Sequence, residues 1–316
     1  MMRAVVAILV LFALASADLV PGRVRDTWVE APEVTQARER QTSMFPGVPD
    51  RDAQVLFIFS GMDFTSEFAW GDVYWNPTEE LYPSTWSYDT IEPSSTEPPG
   101  SPYHWNGGLG TACDNLGVTW EWYATYDAAE YYQNIPDAAT LANYDVVFFH
   151  TFDYWWSDVE AVSADSRAIL ETYMNAGGTV VLIGQDIHYS GVPGSWLNTW
   201  FGCGTIVDDV VNGEATAPAS GESGTFLAGW SGTAQQTNFS NSNPFFVDDV
   251  ATNGLLGDGG SNQYASYLDA EGRIYSTFEF EACSSSETEA IMEEILDWLG
   301  ILSLDTDTWG GIKVSF

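Results

Sequence analysis

Lysine is almost missing from this chain: Lys313 is the only one, and the 9 Lys+Arg residues stand against 45 Asp+Glu. Six of the nine (Arg3, Arg23, Arg25, Arg38, Arg40 and Arg51) precede residue 52, leaving Arg167, Arg273 and Lys313 for the remainder. A surface this acidic repels phosphate backbones, so nucleic acid is not an expected partner. It suits a salty medium, a divalent cation or a basic partner, and it equally serves to keep an exported protein in solution.

Cysteine is scarce as well. Cys113, Cys203 and Cys283 are too few and too far apart for a disulfide framework or a zinc motif. One disulfide with a thiol left over, or three small buried residues, both fit the spacing. Long apolar runs are lacking too: the longest, Ala4–Ala15, falls short of the roughly 20 residues that span a bilayer. It follows Arg3 and leads to Ala15-Ser16-Ala17, the small-x-small pattern of a signal-peptidase site. Residues 1–17 therefore read as a signal peptide, and the mature chain as secreted, extracellular or cell-surface, with the periplasm as a further location. No transmembrane segment is expected.

What is present begins with a linker. Residues 18–52 mix charges with Pro21, Pro32 and Pro46 and show no sustained periodicity. AQVLFIFSG (53–61) is a short continuous apolar run ending on Ser-Gly, as a strand buried on both faces would be. Residues 62–105 break the rhythm with Trp70, Trp75, Trp86 and Trp105 among Pro, Ser, Thr and acids, and form an aromatic insertion. Regular alternation follows. A helix is expected over 106–116 closed by Gly117, strands over 118–124 and 144–150, and a helix over 163–176 stopped by Gly177-Gly178. The strand GTVVLIGQD (178–186) comes next, then a short helix over 196–201.

Residues 202–262 are rich in Gly, Ser, Thr, Asn and Asp, which suits hairpins and loops. The spacing then predicts a last strand over 273–281 (RIYSTFEFE). The final helix carries Ser286 and Glu289 as a capping-box pair, an Ile291, Ile295, Leu296, Leu299 stripe, and Gly300 as its stop. The sum is an α/β domain over 53–300: a three-layer, flavodoxin-like parallel sheet with a β-rich insertion before the last strand. The tail 301–316 holds LDTDTWGGIKVSF and is similar to short Trp-Gly-x-Ile-Lys endings of exported bacterial proteins. It either serves surface attachment or packs on the domain.

The succession YDVVFFHTF, SADSRAILETYMNAGGTVVLIGQD, WLNTWFG and RIYSTFEFEA, with a last helix ending DWLG, resembles the class I glutamine amidotransferase-like domains of secreted bacterial proteins. The resemblance spans roughly 53–300. Active members carry a cysteine on the sharp turn after the central strand and a His-x-Glu pair after the late strand, so that imidazole can deprotonate the thiol. By the pattern, the cysteine position falls at Gly184 and the pair at Glu279 and Glu281. Nucleophile and base are thus missing, and amidotransferase activity is not expected.

Two rival functions share one place. In such folds the carboxyl ends of the strands gather around one crevice, which brings together Asp63, His150, Asp153, Gln185, Asp186, His188, Glu279 and Glu281. As an extracellular hydrolase, the chain would use Asp186, Glu279, Glu281 and His150, with Ca²⁺ as the cation such acids could hold. As a non-catalytic module without a cofactor, it would bind a glycan or an envelope protein through Gln185, Asp186, His188, Asp153, Trp155, Trp156, Trp70 and Trp75. The 14 Trp exceed what a core of this size asks for, and loop indoles stack on sugar rings or mark interfaces. Trp120, Trp122 and Trp298 lie in regular elements and are assigned to core or half-buried positions.

Overall fold

A computed structural model describes residues 53–59, 91–94, 108–124, 135–153, 160–235, 245–250 and 252–302. The expected signal peptide, the linker, nearly all of the aromatic insertion and the tail from 303 onward lie outside the described residues. So do Asp63, Trp70, Trp75, Trp155 and Trp156.

The strands β1 (Val55–Phe59), β3 (Trp120–Ala124), β4 (Val146–Asp153), β5 (Val180–Gln185) and β12 (Arg273–Ser276) pair in parallel, in the order β3-β1-β4-β5-β12. Renumbered along the chain this is 2-1-3-4-5, the doubly wound flavodoxin-like order. The central strand β1 is apolar on both sides because both faces of the sheet are covered. In β1, Val55, Phe57 and Phe59 enter one core while Leu56 and Ile58 enter the other. At about 1.5–3 kcal/mol for each such side chain, these five positions commit the segment to the sheet interior.

Helices α1 (Leu109–Leu116) and α5 (Ser285–Trp298) lie on one face, with Leu109, Ile291 and Ile295 in its core. On the other, α2 (Ala138–Leu141), α3 (Ala164–Asn175) and α4 (Gly194–Phe201) contribute Leu141, Leu170, Tyr173, Leu197 and Phe201. Trp120 and Trp122 are buried, as read from the sequence. The helix boundaries follow local chemistry. Ser163 accepts the Ser166 amide at 3.1 Å to start α3, and Gly117 ends α1 with a left-handed φ of 71°. One cap differs from expectation. Ser284 and Glu287, rather than Ser286 and Glu289, form the capping box of α5, since Glu287 Oε2 accepts the Ser284 amide at 2.9 Å.

The insertion does not stand apart from the sheet. Strands β7 (Thr216–Gly221), β8 (Ser231–Gln235), β10 (Gly254–Gly257) and β11 (Gln263–Leu268) continue it in antiparallel fashion beyond β12, in the order β12-β11-β10-β7-β8. At the opposite edge, β2 (Glu92–Pro93) pairs antiparallel with β3. A separate ladder joins β6 (Val207–Glu214) to β9 (Phe245–Asp249). Among the described residues, no helix is long and apolar enough to cross a membrane.

Candidate functional site

Two clusters of ionisable groups sit at the carboxyl ends of the parallel strands, one on each side of the end of β5. The strand expected to end at 150 runs on to Asp153, so His150 lies within β4, in register with Phe59, the last residue of β1, and with Ile183 of β5. The strand order reverses between β1 and β4, so His150 stands at the topological switch point where ligands of such folds settle. Its Nε2 lies 2.9 Å from Glu279 Oε2 and also contacts Glu281 Oε1.

These two acids are not on a strand. The expected strand over 273–281 stops at Ser276, and Phe280–Ala282 form a 3₁₀ turn. The cause is local: Ser276 Oγ donates to the Phe278 carbonyl at 2.8 Å and accepts its amide at 3.2 Å. The Thr277 hydroxyl bonds the carbonyls of Asp248 and Tyr264 as well. Side-chain bonds of this kind give the backbone an alternative to the ladder.

The cluster is closed to water, with His150 0 %, Glu279 1 % and Glu281 7 % exposed. Burial alone would discourage a charged imidazole, but the carboxylates of Glu281 and Glu279 raise the His150 pKa to about 10. Glu279 is pushed up to about 8, first by burial, with His150 pulling the other way and Glu281 adding to the rise. For Glu281 burial also acts upward, yet the facing imidazole wins and holds its carboxyl below the ordinary value. The trio is a sealed ion pair with an extra, proton-sharing carboxyl.

Gln185 is a clamp. Its amide N–H donates to Glu279 Oε1 at 3.3 Å and its side-chain oxygen accepts the Phe246 N–H at 2.5 Å, which joins β5, β9 and the turn after β12. Asp153 closes β4 with its backbone paired to Gln185. His188, half-buried, contacts the Val192 carbonyl through Nδ1 at 3.0 Å and so braces the turn after β5.

Gly184, the position the resemblance gives to the nucleophile, carries no side chain. Gly184 is inside β5, whereas the first residue past the strand is Asp186, in the left-handed region at φ 56°. Asp and Asn tolerate that region better than other residues with a Cβ. The turn residue is therefore a carboxylate. No thiol replaces it: Cys113, Cys203 and Cys283 are all free and buried. Burial raises each thiol pKa, that of Cys203 to about 12.

Asp186, 5 % exposed, belongs to the second cluster with Asp209 and Asp248. One carboxylate oxygen from each lies within 4.8 Å of the other two. Asp248 is fully buried, and burial raises its pKa to about 7, with the Asp209 N–H opposing at 3.0 Å and Asp208 and Asp209 adding to the rise. Burial and then Asp208 raise Asp209 as well. Asp209 and Asp248 were not among the residues singled out from the sequence. A signal was there: the tetrapeptide Val-Asp-Asp-Val occurs at 207–210 and again at 247–250. Those two copies are the paired strands β6 and β9.

No family model matches the chain, and no curated protein does. Among solved structures, it is similar to the crystal structure of a proposed GMP synthase subunit from Thermoplasma acidophilum. The two share 10 % identity at a TM-score of 0.42, over 84 % of this chain and 100 % of the other.

Proposed function

We propose that this chain is a non-catalytic extracellular binding module, built on an amidotransferase-like scaffold, that takes a glycan or an envelope protein as its partner. The observation that carries the reading is the closure of His150, Glu279 and Glu281 upon one another. A general acid or base must reach the proton it transfers, whereas these three side chains are sealed from solvent with the two carboxylates turned on the imidazole. The thiol that amidotransferase chemistry needs is missing at Gly184 and at the turn residue Asp186, and the three cysteines are buried and protonated. Partner contact falls to Trp70 and Trp75 of the aromatic insertion and to Trp155 and Trp156 of the stretch after His150. The strong acidity of the chain argues against nucleic acid as that partner.

Binding to a glycan array and to envelope fractions tests the proposal. Binding is expected, with loss when the four tryptophans are changed to Ala. No binding at all, or binding that survives those changes, overturns it.

A second reading, an extracellular carboxylate-dependent hydrolase, draws on one feature, the Asp186 carboxylate on a left-handed turn at the strand end. Turnover of an ester, amide or glycoside that disappears in Asp186→Asn would establish it in place of the first.

A further inference from the structure

Three elements converge on the acidic cluster. Asp186 leaves β5 and Asp209 bends β6, both at φ 56°, and Asp248 comes from β9. Two oxygens on opposite sides of one Ca²⁺ stand about 4.6–5.2 Å apart, twice the usual bond length. Oxygens within 4.8 Å of one another are thus close enough to share a single ion.

Acidic groups often gather without a ligand, so the surroundings decide. Asp248 uses one oxygen only: Oδ1 accepts the Asp209 amide at 3.0 Å, while Oδ2 is sealed from solvent and has no hydrogen-bond partner. Leaving such an oxygen unmatched costs about 1–3 kcal/mol or more for a charged group. The Tyr275 hydroxyl is in the same condition, fully buried and without a partner. Tyr275 pairs with Leu182, and on that face of β5 the alternation leads to Gly184, two residues before Asp186. Its hydroxyl lies within electrostatic range of both Asp248 and Asp186.

Among the described residues, neither arginine is directed at the cluster. Arg167 pairs with Glu160, and Arg273 donates to the Met174 carbonyl while its guanidinium lies over Trp200. His188, on the turn after β5, lies within electrostatic range of Asp248.

We propose that Asp186, Asp209 and Asp248 form a binding site for a hard divalent cation, Ca²⁺ foremost, with the Asp248 Oδ2 and the Tyr275 hydroxyl facing it. An all-carboxylate set suits Ca²⁺ better than Zn²⁺, which favours imidazole and thiolate. Mg²⁺ holds several of its waters and a strict octahedron, for which a closed site leaves little room. The ion pins the β6–β9 ladder to the end of β5. The inference stands apart from the glycan reading, because it concerns a different ligand and a different readout.

The test uses the full chain, dialysed against a chelator and titrated with CaCl₂ by calorimetry, with MgCl₂ in parallel and thermal unfolding recorded at each end point. One saturable Ca²⁺ per chain is expected, stronger than the Mg²⁺ response and accompanied by a higher Tm. Asp209→Asn and Asp248→Asn should each weaken it by at least about tenfold. Asp258→Asn, in an exposed loop elsewhere, should leave it unchanged. Should Asp248→Asn fail to fold, the half-buried Asp209 decides alone. Diffuse weak binding with no site per chain, or affinity equal in the wild type and both Asn variants, overturns the proposal.

Discussion

The imidazole of His150 reaches across from β4 to place Nε2 2.9 Å from Glu279 Oε2, both groups sealed from solvent. A buried charge pair contributes little by existing and a great deal by not being broken, because removal of one partner strands the other. His150→Ala leaves two carboxyls facing one another without their cation. Its expected cost is about 3–5 kcal/mol, read as a lower urea midpoint at unchanged m. Glu281→Gln should cost less, since His150 then still faces Glu279.

The same cluster sets a pH dependence. His150 has a folded pKa of about 10 against an ordinary 6.5, so its contribution is complete below 6.5 and lost as pH rises through 10. Glu279, raised to about 8 from 4.5, acts in the same direction: its contribution is complete below 4.5 and lost as pH rises through 8. Glu281 is lowered, so its contribution is present above 4.5 and lost only as pH falls further. Tm should therefore decline from pH 6.5 to 10, and His150→Gln should flatten that decline. A wild-type profile level over this range would refute the assignment.

Gln185 offers a test of its structural role. Gln185→Ala removes the acceptor of the Phe246 N–H and should destabilise by about 1–3 kcal/mol. Gln185→Glu keeps the shape and the acceptor for the Phe246 N–H but sets a buried carboxylate at the residue whose backbone amide holds Glu279. It should fall more at pH 8 than at pH 5 in parallel urea melts, because acid neutralises the added charge.

Much of this architecture was legible from local patterning. Uninterrupted β-branched and aromatic runs such as VLFIF and VVLIG, short and bounded by polar residues or Gly, fit strands covered on both faces, and Gly117 ends its helix as expected. The charged trio was half legible, since His150 stands where β4 passes the end of β1 and Glu279 and Glu281 follow β12, but their mutual closure depends on the turn that Ser276 imposes after β12. Asp209 and Asp248 are 39 residues apart and meet Asp186 only because β6 pairs with β9. Pairing between distant strands leaves little trace in local composition, and acids here are too common for two more to stand out.

The thiols provide an independent check on burial. Cys113, Cys203 and Cys283 are sealed and held protonated, and thiolate is the species that reacts. A disulfide-exchange reagent should find almost no thiol in the native chain at pH 8 and three per chain in denaturant. Rapid labelling of Cys203 in the folded state would contradict its placement behind α4.

Asp186 separates backbone from carboxylate. Its φ of 56° strains a residue bearing a Cβ, and costs rise for branched side chains. Asp186→Gly and Asp186→Asn should both keep the turn, whereas Asp186→Val should lose about 1–2 kcal/mol relative to Asn in thermal or urea melts. Cation binding divides the set differently. If the carboxylate is a ligand, Gly and Asn variants fold like the wild type and yet lose the Ca²⁺-dependent rise in Tm. A turn that matters only for its shape would leave that rise intact in Asp186→Asn, so the two measurements together assign the residue its role.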